Sequence, residues 1–63
     1  MTTKELITKI VGEEPYVIGM KLYAGEEEVD INYQVDENGF PLFDKPINYQ
    51  EALEKMLLKL QKN

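Results

Sequence analysis

Val29-Asp30-Ile31-Asn32-Tyr33-Gln34-Val35 alternates apolar and polar residues without a break. A period of two puts Val29, Ile31, Tyr33 and Val35 on one face of a strand and Asp30, Asn32 and Gln34 on the other. That pattern fits an antiparallel strand with one face buried and one in water. It predicts a strand over 28–35.

The flanks of this stretch carry turn chemistry. Ala24-Gly25-Glu26-Glu27 precedes it, and Asp36-Glu37-Asn38-Gly39 follows it, each with a Gly to supply a positive φ. A second strand is expected over 16–24, where Tyr16, Ile18, Met20 and Leu22 alternate with Val17, Gly19, Lys21 and Tyr23. Gly19 reads as a bulge or a close packing contact. Phe40-Pro41-Leu42-Phe43 reads as a short third strand. Pro41 cannot donate to a ladder, so this strand belongs at an edge and 28–35 at the centre. Asp44-Lys45-Pro46 reads as a break.

Helices close both ends. Over 2–12, Thr2 and Glu5 have capping-box spacing, and Leu6, Ile7, Ile10 and Val11 form a helical stripe. Gly12 and Pro15 stop it. Over 49–61, Asn48 is the expected N-cap, Glu51 completes a capping box, and Ile47 with Ala52 form a staple. Leu53, Met56, Leu57 and Leu60 form the buried stripe. The expected fold is α+β in the order αβββα: a three-stranded antiparallel meander with both helices on one face, in one domain over 1–63.

That element order resembles the double-stranded-RNA-binding domains. The resemblance is topological. It implies phosphate contacts from a lysine-rich start to the second helix. Here Asn48-Tyr49-Gln50-Glu51-Ala52 carries no cation, and the loop before it has only Lys45. Direct nucleic-acid binding is therefore not expected.

Size and composition exclude further classes. At 63 residues the core is thin, and small domains recover stability through disulfides, metals or oligomerisation. There is no Cys and no His, so thiolate and imidazole ligands are absent and a homodimer is a live expectation. Ser is also absent, and the hydroxyls of Thr2, Thr3 and Thr8 have no activating base in view. Placed as a calcium loop, Asp36, Asn38 and Gly39 would put Gln34 and Lys45 where acids are needed. The run Glu26-Glu27-Glu28 with Asp30 reads as a solvated hairpin tip. No enzyme activity, cofactor or metal site is expected. No signal-like or membrane-spanning run is present, and a cytoplasmic protein is the default expectation.

Charge is the informative feature. The net charge is −5. Between Glu13 and Asp44 lie nine acids and one lysine; the remainder holds six lysines and three acids. An acidic sheet with mildly basic helices suggests a non-catalytic module that binds or inhibits a basic partner protein, in one version as a nucleic-acid mimic. Tyr23, Glu26, Glu27, Glu28, Asp30 and Asn32 are the expected contacts. Leu58 lies off the buried stripe, and a sheet edge or Leu58 could instead hold together a small homo-oligomeric structural or accessory protein.

Overall fold

The computed structural model describes residues 1–62. Helix α1 spans Thr3–Val11, and helix α2 spans Tyr49–Gln61. Between them run five short strands: β1 Tyr16–Ile18, β2 Lys21–Ala24, β3 Glu27–Asp30, β4 Tyr33–Val35 and β5 Pro41–Pro46. Strands β1, β2 and β3 form a three-stranded antiparallel sheet in that order, and β4 and β5 form a separate hairpin. The fold is α+β, with a three-stranded antiparallel sheet and a helix at each end.

The strands are cut differently from the sequence expectation, for two local reasons. Gly19 is a turn rather than a bulge. Its φ is +60°, and Met20 has no positive φ. Such a two-residue loop with Gly first fits a type II′ hairpin. It splits 16–24 into β1 and β2 and pairs Tyr16 with Tyr23, Val17 with Leu22 and Ile18 with Lys21. The turn also resets which side chains share a face. Tyr16 and Ile18 join Tyr23 and Lys21, while Val17 joins Leu22.

The second cut falls at Ile31-Asn32. The Asn32 amide donates to Asn48 Oδ1 at 2.7 Å, and the Ile47 amide donates to Asn32 O at 2.9 Å. The chain entering α2 therefore takes the groups that a sheet partner would have used. Asn48 stands at the N-cap of α2 but makes no side-chain cap bond, since its oxygen is spent on Asn32. The expected staple also fails to bury Ile47, which is 61% exposed. Central place in the sheet falls to β2 rather than to 28–35. The expected break at Asp44-Lys45-Pro46 is instead the end of β5, held by the pairing of Tyr33 with Pro46.

The two other turns form as the sequence predicts. Gly25, with φ +63°, links β2 to β3. Asp36 Oδ1 accepts from the amides of Asn38 and Phe40 at 2.9 and 3.0 Å, and Gly39 takes φ +84°.

The core lies between the sheet and the helices. Leu22 and Ala24 from β2 and Val29 from β3 meet Ile7 of α1 and Ala52, Leu53 and Met56 of α2. Ile31 and Tyr33 complete it, while Val35 is exposed because the β4–β5 hairpin runs out beyond the helices. The α1 stripe is half used: Ile7 is fully buried and Val11 partly, but Leu6 and Ile10 stay exposed. The Thr2–Glu5 capping box forms with both bonds, at 3.1 and 3.2 Å. Gly12 ends the helix in the left-handed region.

Candidate functional site

Two surfaces stand out, one charged and one apolar. The charged surface is the outer face of the sheet. Antiparallel pairing places Lys21 opposite Asp30 and Tyr23 opposite Glu28. Lys21 Nζ lies 2.7 Å from Asp30 Oδ1 and 3.7 Å from Glu28 Oε1. The hydrogen bond to Asp30, and then the charges of Asp30 and Glu28, hold the Lys21 ammonium above its ordinary pKa. The same bond and the Lys21 charge hold the Asp30 carboxyl below its ordinary range, with smaller help from Lys59 and Lys55.

Lys59 also donates to Glu28 O at 2.8 Å. The amide of Ile31 bonds Met20 O. By antiparallel alternation the Glu28 carbonyl then points away from β2, so Lys59 covers one carbonyl on the outer edge of β3. Lys21, Lys55 and Lys59 line one shallow cleft with Glu28, Val29 and Asp30. Three cations among two carboxylates interrupt the acidic surface that the sequence suggests, because α2 brings its lysines beside the sheet.

The expected contact residues are scattered. Tyr23, Glu28 and Asp30 share the outer face, with Tyr23 stacked on Tyr16 at 5.5 Å between ring centroids. Glu26 is exposed on the β2–β3 turn, and Glu27 pairs with Ala24. Asn32 lies at the junction with α2, where its backbone is tied to residues 47 and 48. Leu58 is 60% exposed on α2, apart from the others. Among the described residues no three acidic side chains converge on a possible metal position. No helix among them is long and apolar enough to cross a membrane.

Sequence reasoning did not bring the apolar surface together as a groove. Val17, Gly19, Tyr33, Phe43, Pro46 and Tyr49 line an open groove of about 500 Å³ between β1 and the β4–β5 hairpin. Phe43 packs edge-on against Tyr33 at 5.1 Å but remains 58% exposed. Tyr16, Ile18 and Met20, which alternate in the sequence with the buried Leu22 on their side, are nonetheless 47%, 63% and 50% exposed. The missed signal is Ile18-Gly19-Met20-Lys21, a Gly-first two-residue loop between apolar runs.

These features define a small α+β domain with an open apolar groove beside an edge strand. No family model matches the chain, and comparison with curated proteins and solved structures finds none similar to it.

Proposed function

We propose that this chain is a non-catalytic protein-interaction module whose contact surface is β1 and the groove beside it. The observation that carries this reading is the number of large apolar side chains left uncovered there. Val17 and Phe43 in the groove are 39% and 58% exposed, and Ile18 and Met20, on β1 and the turn after it, are 63% and 50% exposed. Exposed apolar area concentrated in this way marks interaction sites.

The shape of the molecule supports the same reading. The radius of gyration is 12.4 Å, against about 11 Å for a compact domain of this length. The accessible surface is 4580 Å², against about 4,200 Å² for a typical monomer of this mass. The excess fits a hairpin that extends past its own core.

The hydroxyl chemistry supports a non-catalytic role. Thr2 accepts from Glu5, Thr8 donates to Lys4 O, and Thr3 accepts from Gln50 across the helices. All three threonines are engaged in structural bonds.

Site-specific photo-crosslinking tests the surface. A photoreactive phenylalanine analogue replaces Phe43 in one variant and Glu28 in another. Adducts from position 43 and none from position 28 are expected. Adducts from 28 alone would return the contact to the charged face.

A further inference from the structure

The sheet has two edges, and they are covered unequally: α2 packs beside β3, while among the described residues β2 is the one element packed closely on β1. On β3, Lys59 occupies the outward carbonyl of Glu28. On β1, the backbone of Val17 has no such cover. Because Ile31 bonds Met20 O, the alternation along β2 directs Leu22 toward β3 and directs Lys21 and Tyr23 toward β1. Tyr16 and Ile18 then spend their backbone groups on β2. The N–H and C=O of Val17 face the open edge, and neither takes part in a backbone bond outside the strand ladders among the described residues. Strand β1 itself carries no charge and no proline to blunt its edge, and Pro15 just before it limits the backbone pairing to Val17.

We propose that the occupant of this edge is a second copy of the chain, with β1 pairing antiparallel to β1 and Val17 opposite Val17 of the other copy. A two-fold axis through Val17 satisfies both unpaired backbone groups reciprocally, as an isologous contact requires. It joins two three-stranded sheets into one of six strands. Tyr16 then lies opposite Ile18 of the other copy on the outer face, and the two grooves meet on the inner face.

The area agrees with a second copy. Tyr16, Val17, Ile18, Met20, Phe43 and Ile47 are on average about half exposed. With side chains of about 150–250 Å² for the largest, these six supply on the order of 600 Å². A stable interface takes roughly 800 Å² per partner, and the edge backbone and Tyr49 lie within reach of the remainder. A chain of 63 residues without Cys or His also has oligomerisation as its open route to added stability. The inference rests on the reading of β1 and its groove as the contact surface.

Sedimentation velocity on the purified chain across micromolar to millimolar concentration is the test, with ¹⁵N amide exchange read in parallel. The expected result is a species of twice 7.3 kDa at high concentration, with protection of the Val17 amide rising in step. Added salt should strengthen association, because each copy carries −5 and screening relieves the repulsion. Val17→Pro removes the outward N–H and leaves the ladder bonds of Tyr16 and Ile18 to β2 in place, so circular dichroism should be retained while association falls at least tenfold. Ile18→Lys provides a second variant that leaves the ladder bonds to β2 intact, with the same expected loss. A monomer at every concentration, or a dimer that persists in both folded variants, overturns the proposal. A monomer whose position-43 probe still captures another protein overturns the self-pairing alone. A monomer with no adduct at position 43 removes the proposed contact surface as well.

Discussion

Ile7 and Ile10 stand one turn apart in the same apolar stripe of α1, and the structure assigns them very different energies. Ile7 is 0% exposed, while Ile10 is 49% exposed. Truncating Ile7 to Ala deletes three buried carbons, worth about 2.4 kcal/mol of transfer free energy at roughly 0.8 per methylene. The void left between α1, β2 and α2 adds about another 1 kcal/mol, giving about 3–4 kcal/mol. Ile10→Ala loses about half the transfer term and leaves no cavity, and the better helix propensity of Ala offsets a few tenths. Its cost should be under about 1 kcal/mol. A chain of this size holds on the order of 3–9 kcal/mol in total, so Ile7→Ala should leave it barely folded. Urea titrations followed by far-UV dichroism and tyrosine fluorescence would measure both variants. One fixed protein concentration is needed, since association shifts the midpoint. Equal costs at the two positions would refute the packing of α1 described above.

Gly25→Ala should lower stability by about 1–2 kcal/mol from its left-handed backbone; its new Cβ would sit 3.4 Å from Val11 Cγ1. Gly25→Asn should cost less, and a thermal melt in which Ala is neutral would contradict the turn. Leu58→Asp should change stability by less than about 0.5 kcal/mol and leave the sedimentation profile unchanged, since the side chain is 60% exposed outside the proposed interface. Asp30 should titrate below its ordinary 3.8 and return toward it in Lys21→Met, as read from carboxyl carbon shifts. The sign is that of a depressed acid: its contribution is complete above 3.8 and is lost as pH falls through the lower folded value. Lys21 mirrors it, with a contribution complete below 10.5 and lost as pH rises through the higher folded value.

Local chemistry was legible in the sequence where it acts over a few residues. The Thr2–Glu5 box, the Asp36–Gly39 turn, the inward facing of Val29, Ile31 and Tyr33 and the burial of Leu53 and Met56 follow from spacing alone. What escaped was decided by distant partners or by parity. Asn48 is a good N-cap by type, yet its oxygen serves Asn32, sixteen residues away. The two-residue turn at Gly19 reverses the facing of Tyr16 and Ile18, because one misassigned turn shifts every alternation before it. The charge asymmetry was visible, but the placement of Lys55 and Lys59 beside Glu28 and Asp30 depends on how α2 crosses the sheet.

Strand β1 contributes none of the nine buried core residues. Substitutions at residues 16–18 should therefore cost folding less than substitutions in the core, so recognition can drift more readily than the scaffold. In a two-fold contact each such change is present twice, and its effect on self-pairing is doubled relative to pairing with an unaltered copy. If β1 pairs with itself as proposed, two diverging copies of the gene would cease to mix, each keeping to its own kind through a strand of three residues.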